Sequence, residues 1–287
     1  MGKYDITERQ LEEYNEVLAD ICNVLLFGGD EVIDENDLQD VPGQKSQFKA
    51  DDGTLHEQER DLSKFWTKDN VILSLIGTEN QTRPDPDMPL RTISYDGASY
   101  KSQILSDPDG KSRYPVVTLV LYFGQVPWNT SKSLFERLVI PDKLKPFVND
   151  HRINLFEISF LSIETVRKFK SDFRIVAEWC VRSRTEPDYR PDEFTIHHVD
   201  EVLKLLAVIS NEDWYNEARK IFKEETKGEV TMGTFFAERD RLIEKKKVDE
   251  IIMGLLRQNV EASVIALSTN VPVEYVEQIK EKLLQPV

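Results

Sequence analysis

The stretch VILSLIGTENQ, residues 71–81, decides the fold class of this chain. Its first six residues form an apolar, β-branched run, which is typical of a buried strand. The strand then continues into polar residues. Because side chains alternate along a strand, Glu79 and Gln81 lie on one face near its end. The carboxylate of Glu79 is therefore either a solvated side chain or a ligand.

The segments on either side predict a mixed sheet. A strand at about 57–66 precedes the strand at 71–81, and a continuous β-branched strand at 115–123 follows a helix that begins after Asp87. Strands joined by short turns are antiparallel, whereas a helical crossover makes the strands at 71–81 and 115–123 parallel. The pattern predicts an α/β fold with helices on both faces of the sheet.

The remaining elements extend this core and add a helical region. They are a helix at 8–27, a short strand at 46–50, a strand at 153–161, a helix at 164–184 and helices from 195 onward, including 214–225, 234–258 and two after 261. We expect one domain over residues 1–190 and a helical C-terminal region over residues 191–287.

Composition limits the function classes. A net charge of −15 over 287 residues argues against general nucleic-acid coating, because phosphates repel an acidic surface, but leaves room for a local basic groove or a metal site. Apolar runs are too short to cross a membrane, and MGKYDITERQ lacks a secretory apolar segment, so we expect a cytoplasmic protein. Cys22 and Cys180 have no CxxC or histidine partner and are expected to be buried hydrophobic residues.

The hairpin register decides whether Glu79 has a carboxylate neighbour. If residues 68–70 form a three-residue loop, Asp61 lies opposite Gly77. Asp61 and Glu79 then share a face, one diagonal apart, with backbones on the order of 7–8 Å from each other. Two such carboxylates can converge on Mg²⁺, which uses one or two carboxylates with water and phosphate oxygens. A loop of two or four residues would spoil the pairing.

Several segments together resemble one protein family. They are ERDLSKFW (59–66), IGTENQT (76–82), DPDMPLRTISYDGASYKSQI (85–104), RYPVVTLVLYFGQVPWN (113–129), IPDKLKPFVNDHRINLFEISFL (140–161) and SDFRIVAEW (171–179). The order αβββαβ, with an Asp on the second strand and Glu-x-Gln on the third, is similar to the PD-(D/E)XK nuclease core. The segments closely resemble the Rpn family, also called YhgA-like transposases, over roughly residues 10–210.

The resemblance implies a magnesium-dependent DNA endonuclease that promotes recombination. Carried over by position, Asp61 and Glu79 would hold Mg²⁺, or Mn²⁺ in its place, and Gln81 would take the position of the superfamily's catalytic lysine. Gln is usual in this family. It donates a hydrogen bond but brings no charge, so stabilisation of the phosphate would be weaker. Asp20 falls near the family's helix-borne acid and would be a third metal ligand.

The helix after Asp87 would supply the substrate-binding residues. Its apolar stripe consists of Leu90, Ile93, Gly97, Tyr100 and Ile104, and a different face carries Met88, Arg91, Tyr95, Ala98 and Ser102. Arg91 and Tyr95 would reach a scissile phosphate. Judged without the family, Arg91 is a salt-bridge partner of Asp87 at i−4, and Tyr95 is a packing residue.

Two functions from different classes follow. The first is a Mg²⁺-dependent endonuclease that acts on DNA in recombination or mobile-element processes, for which a homodimer would suit double-strand cuts. The alternative is a catalytically weak or inactive relative that binds DNA or a protein partner through its helical C-terminal half. Gln81 and the acidic charge favour the alternative. An arginine filling the gap between Asp61 and Glu79 would remove the metal site.

Overall fold

The apolar runs identified in the sequence form the centre of a five-stranded sheet. The computed structural model describes residues 11–41, 46–49, 55–58, 60–186, 189, 194–210 and 230–284. The strands are β1 (Leu38–Asp40), β2 (Ser46–Lys49), β3 (Leu55–Gln58), β4 (Leu62–Lys68), β5 (Val71–Gln81), β6 (Val116–Tyr122), β7 (Asn154–Glu157), β8 (Thr195–Ile196) and β9 (Val230–Thr231). The helices are α1 (Asn15–Phe27), α2 (Met88–Ser106), α3 (Leu134–Arg137), α4 (Ile163–Val166), α5 (Phe173–Ser183), α6 (Val199–Ser210), α7 (Met232–Arg257), α8 (Ala262–Thr269) and α9 (Val273–Leu284).

The main sheet is mixed, as the sequence predicts. Its strand order is β1-β4-β5-β6-β7. The pairs β1/β4 and β4/β5 are antiparallel, whereas β5/β6 and β6/β7 are parallel. Helix α2 makes the crossover between β5 and β6, which is why these two strands run in the same direction. Two small antiparallel pairs, β2/β3 and β8/β9, lie outside this sheet.

Helices cover both faces of the sheet. On one face α1, α5 and α6 share the largest hydrophobic core with Leu119 and Leu121 of β6, and the cysteines Cys22 and Cys180 are buried in it. On the other face a smaller core joins α2 to the opposite side chains of β6; its members are Met88, Val120, Tyr122 and Trp128. The strand β6 is therefore covered on both sides, which explains its continuous apolar sequence.

Several predicted elements differ from the structure. The region expected to be helical from residue 195 begins with the strand β8, and the helix expected at 8–27 is regular only from Asn15. The strand expected at 57–66 is divided between β3 and β4, and the one expected at 153–161 ends at Glu157 and continues as a 3-10 turn. The single helix expected at 164–184 is two helices, α4 and α5. Between them, the carboxylate of Asp20 accepts backbone N–H groups of Lys170 and Ser171, which a continuous helix would use internally.

The C-terminal helices form a second core. Helices α7, α8 and α9 pack through a small cluster that contains Ile252, Ile265, Ala266, Val276 and Ile279. Helix α6 follows residue 190 in the sequence but packs in the larger core. The predicted domain division at residue 190 therefore stays a prediction. The helix predicted at 214–225 lies outside the described residues. No helix in the described part of the chain is long and apolar enough to cross a membrane.

Candidate functional site at the end of strand β5

The polar end of β5 is buried on both faces of the sheet. Thr78 and Asn80 point toward the turn before α1, where Thr78 Oγ1 donates a 2.6 Å hydrogen bond to Glu12 Oε2. Gly77 and Glu79 point toward α2. The Glu79 side chain is 0% exposed. The reading of Glu79 as a wet side chain at a strand end is therefore wrong.

The hairpin register differs from the predicted one and still brings the two acids together. The turn has two residues, Asp69 and Asn70, both with positive φ (50° and 64°), as a two-residue hairpin turn of this kind requires. A β-bulge opposite Trp66 and Thr67 then adds one residue, Leu73, to β5. The short turn alone would have put the acids on opposite faces, and the bulge restores the parity.

Asp61 lies just before β4, beside Glu79. The last pair of the ladder is Leu62 opposite Thr78, and the Asp61 Oδ2 atom accepts a 2.7 Å bond from the backbone N–H of Asn80. The charge of Asp61 contributes to raising the pKa values of Glu79, Glu12 and Tyr95. The expected meeting of Asp61 and Glu79 is thus present, although by a different register.

Burial makes Glu79 a weak acid. Removal from water raises the pKa of this carboxyl to about 8, and the charge of Asp61 adds to the shift. The guanidinium groups of Arg91 and Arg60 oppose it. One oxygen, Oε1, is buried without a hydrogen-bond partner among the described residues. Such an orphaned atom is uncommon in a folded protein and is a local cost in free energy.

An arginine contacts Glu79. Arg91 Nη2 lies 2.9 Å from Glu79 Oε2, and Arg91 Nη1 lies 3.0 Å from Asp85 Oδ2. The predicted partner Asp87 pairs with Arg137 instead. An arginine between Asp61 and Glu79 was expected to remove the metal site, and Arg91 meets that expectation in part. Arg91 takes one oxygen of Glu79 and leaves the other, and its own side chain is 39% exposed.

Tyr95 and Gln81 lie on the same side of the sheet. Arg91 Nη2 donates to Tyr95 Oη at 3.4 Å, and burial, followed by the charge of Glu79, raises the pKa of the Tyr95 phenol. Gln81, the last residue of β5, is half-buried and follows Glu79 on the α2 face. The structure thus brings together Asp61, Glu79, Arg91 and Tyr95, with Gln81 at the rim.

Arg60 is a buried cation that the sequence analysis missed. Its guanidinium donates to Thr118, Ser99 and Asp96, the last at 2.7 Å, and is 5.7 Å from the centre of the Tyr95 ring. A Cβ at Gly77 would lie 2.5 Å from Arg60 Cδ, so glycine at this position makes room for the arginine. A glycine two residues before an acid on the same strand face was the available signal.

Glu12 is a second buried acid, on the face of β5 opposite Glu79. Glu12 is 0% exposed, and burial raises the pKa of its carboxyl to about 8, with Asp61 adding to the shift and Thr78 opposing it. Its Oε1 atom and the whole side-chain amide of Asn80 have no good hydrogen bond among the described residues. Thr78 to Asn80 therefore border two buried acids, one on each face.

Asp20 is not part of this site. Its Oδ2 atom accepts hydrogen bonds from Lys170 N, Ser171 N and Ser171 Oγ at 2.9, 2.8 and 2.6 Å. It borders a separate groove of about 1060 Å³, together with His197 and His198. The prediction of Asp20 as a metal ligand was wrong because its position on α1 turns its carboxylate toward the segment before α5.

The donor set suits a hard cation but does not enclose one. No group of three or more His, Cys, Asp or Glu side chains in the described ranges is arranged to hold a metal ion. Asp61 and Glu79 offer two carboxylates, one of them with a free buried oxygen. That number matches Mg²⁺, which keeps several waters and shares phosphate oxygens with its substrate.

The fold and the site define a mixed α/β protein with buried acids at the carboxyl end of a central strand, where open α/β sheets commonly bind ligands. Residues 58–185 match the family model described as "Putative transposase, YhgA-like". The family resemblance read from the sequence is confirmed over this segment, which includes Asp61, Glu79, Arg91 and Tyr95 but not Glu12. No curated protein and no solved structure matches the chain.

Proposed function

We propose that the chain is a divalent-metal-dependent DNA endonuclease with a PD-(D/E)XK type of core, in which Asp61 and Glu79 hold Mg²⁺ or Mn²⁺. The observation that carries the proposal is the unpartnered Oε1 atom of Glu79, buried beside Asp61. A carboxylate in this position is costly unless a cation completes it. The transposase description of the matching family supports DNA as the substrate.

The metal ion would offset the charge that develops on a phosphodiester during hydrolysis. Residues of the chain would do the positioning. Arg91 and Tyr95 lie on the inner face of α2 beside Glu79, where a guanidinium can bind two phosphate oxygens at once. Gln81 would orient the attacking water by a hydrogen bond without adding charge. The ion pair with Asp96 would hold Arg60 in place, so that its positive charge stays near Glu79.

Arg91 has two roles in this account. Without a metal ion it neutralises Glu79 and Asp85. With a metal ion on this carboxylate, the partly exposed guanidinium of Arg91 would be available to bind the phosphate. Arg91 and the metal ion would compete for the negative charge of the same carboxylate, so removal of Arg91 should tighten metal binding while it weakens cleavage.

The proposal is tested by nicking of supercoiled plasmid in Mg²⁺, Mn²⁺ or EDTA, with Mn²⁺ affinity measured in parallel by titration calorimetry. We expect cutting that EDTA abolishes. Arg91→Ala should bind Mn²⁺ more tightly, by roughly 3- to 10-fold given an ion-pair competition near 1 kcal/mol, and should cut more slowly. Arg83→Ala, an exposed arginine of the adjoining loop, is the matched control and should behave as the parent. Absence of metal-dependent cutting under every condition would overturn the endonuclease.

A second function is favoured by one specific observation. The Arg91–Glu79 ion pair, together with the uncharged Gln81, suits a relative that has lost catalysis and retains binding. Its partner surface would lie on the C-terminal helices α7, α8 and α9. The two functions separate in one experiment: a binding protein retains DNA affinity in EDTA and cuts in no metal, whereas the nuclease needs the metal ion for cutting.

A further inference from the structure

Helix α2 turns its apolar stripe away from the protein. Leu90, Ile93, Tyr100 and Ile104 are 39%, 38%, 43% and 51% exposed. The opposite face of the helix is packed and partly polar; its buried members include Met88, Thr92, Tyr95 and Gln103. A surface helix normally directs its apolar stripe to the core. An inverted helix of this kind marks an interaction surface.

Gly97 lies at the centre of the stripe without a structural reason in the described part of the chain. A Cβ added there would meet no atom within 4 Å. Glycine in a helix interior lowers helix stability relative to alanine. The residue does allow another backbone to approach closely, which is its usual use where two chain segments cross.

The two ends of the stripe are equidistant from Gly97. Its spacing is three, four, three and four residues, and Leu90 and Ile104 lie seven residues before and after the glycine. A two-fold axis through Gly97 would place Leu90 of one copy opposite Ile104 of a second copy in an antiparallel helix pair. An interface of this type requires self-complementarity, which the apolar residues at the two ends of the stripe supply.

We propose that a second copy of this chain packs on the outer face of α2, with the two helices antiparallel and crossing at Gly97. The charge distribution favours this occupant over DNA. Lys101 is the one charged residue among the exposed positions of α2, whose other members are apolar, serine or glycine. The chain carries a net charge of −15, so two copies approach most readily through a neutral face.

The interface would relate two candidate sites. The inner face of the same helix carries Arg91 and Tyr95, so a pair of α2 helices would hold two sites in a fixed two-fold arrangement. This last consequence rests on the proposed endonuclease function. The association itself does not, and it is measured without metal or DNA.

Sedimentation velocity of the full chain between about 1 and 200 μM tests the association, because a single-helix contact lies at the small end of protein interfaces, near 1,200 Å² or less. We expect a monomer–dimer equilibrium that strengthens from 0.05 to 0.5 M NaCl, since salt screens the repulsion between acidic copies. Leu90→Glu and Ile104→Glu should each give a monomer. Because both side chains are already exposed, these variants should keep the parent's melting temperature.

Gly97→Gln separates the interface from folding. The larger side chain has open space in one copy and improves helix propensity, so the melting temperature should not fall. Between two copies it separates the helices, and the dissociation constant should rise at least about tenfold. A parent chain that stays monomeric at 200 μM, or a dimer that persists in all three variants, would overturn the proposal.

Crosslinking tests the antiparallel register. Both natural cysteines are buried, so an introduced thiol is the accessible one. A mixture of Leu90→Cys and Ile104→Cys chains should be joined by a short bis-maleimide, and Gly97→Cys should join to itself. Ser112→Cys, exposed beyond the end of α2, is the control and should remain single. Equal crosslinking at residue 112 would contradict the register.

Discussion

Asp172 and Glu79 are both fully buried carboxylates, and they differ in how their oxygens are satisfied. The Asp172 oxygens accept backbone N–H bonds from His197 at 2.9 Å and His198 at 2.6 Å, and both imidazole rings lie within 3.3 Å. Glu79 has Arg91 on one oxygen and, among the residues that the structure describes, no hydrogen-bond partner on the other. A satisfied buried acid holds a fold together, whereas an unsatisfied one is a candidate for chemistry.

The largest effect should follow from neutralising either of the two proposed metal ligands, Glu79 or Asp61. Glu79→Gln or Asp61→Asn removes a metal ligand at nearly constant shape, and metal-dependent nicking should fall by about 10³-fold or more. For Glu79→Gln, stability at pH 8 should stay equal or increase, because a neutral amide replaces a buried charge. Asp109→Asn, on an exposed turn, is the control. Parent-level cutting by either variant would contradict the assignment of these acids.

Asp172→Asn should lower the stability of the fold and leave metal binding unchanged. Loss of the charged acceptor leaves the backbone N–H groups of His197 and His198 poorly satisfied at the start of α6, and the free energy of unfolding should fall by about 2–4 kcal/mol. Urea denaturation measures this loss. Mn²⁺ affinity of the folded fraction should not change. A large loss of Mn²⁺ affinity without a loss of stability would contradict the assignment of Asp172 as a structural carboxylate.

Two glycine substitutions test whether packing over Gly77 holds Arg60 in place. Gly77→Ala places a methyl group 2.5 Å from Arg60 Cδ, so the counter-charge of Glu79 must shift, at a cost of about 1–3 kcal/mol. Gly97→Ala meets no atom and should stabilise the chain by about 0.5–1 kcal/mol through helix propensity. Thermal unfolding of the two variants gives the comparison. Equal effects at both positions would mean that Arg60 is not fixed by the packing over Gly77.

A smaller effect should appear in the pH dependence of stability. The pKa of Glu12 is about 8 in the folded protein and about 4.5 when unfolded. Between these values only the folded state retains the proton, so stability falls as pH rises from about 4.5 to 8 and is not recovered above 8. Glu12→Gln removes this part of the slope and should be about 1–3 kcal/mol more stable than the parent at pH 9. A parent-like slope in the variant would place the titration elsewhere.

Hydrophobic pattern and connection lengths were enough to predict the mixed sheet. The β-branched runs at β5 and β6 and the helical crossover gave the strand directions, and alternation along β5 put Glu79 and Gln81 on one face. The hairpin register was not predictable in the same way. A bulge at Trp66/Thr67 depends on packing across the sheet, and it compensates for a turn one residue shorter than expected.

The site was partly predictable for a related reason. Asp61, Glu79, Arg91 and Tyr95 belong to segments with a recognisable pattern, and the structure brings them together. Glu12 and Arg60 meet the site through long-range contacts to Thr78 and Asp96. The residues next to Glu12 and Arg60 in the sequence do not indicate these contacts. The sequence also did not predict that the apolar stripe of α2 is exposed, because periodicity identifies an apolar stripe but not the element that covers it.

Titration of the parent, Glu79→Gln and Asp172→Asn with Mn²⁺ at pH 8 tests the central claim most directly. The account predicts one bound ion per chain in the parent and in folded Asp172→Asn, and loss of binding in Glu79→Gln. Binding of Mn²⁺ to Glu79→Gln with the parent's affinity, or no binding to the parent, would contradict the claim that the unsatisfied carboxylate of β5 is a metal ligand.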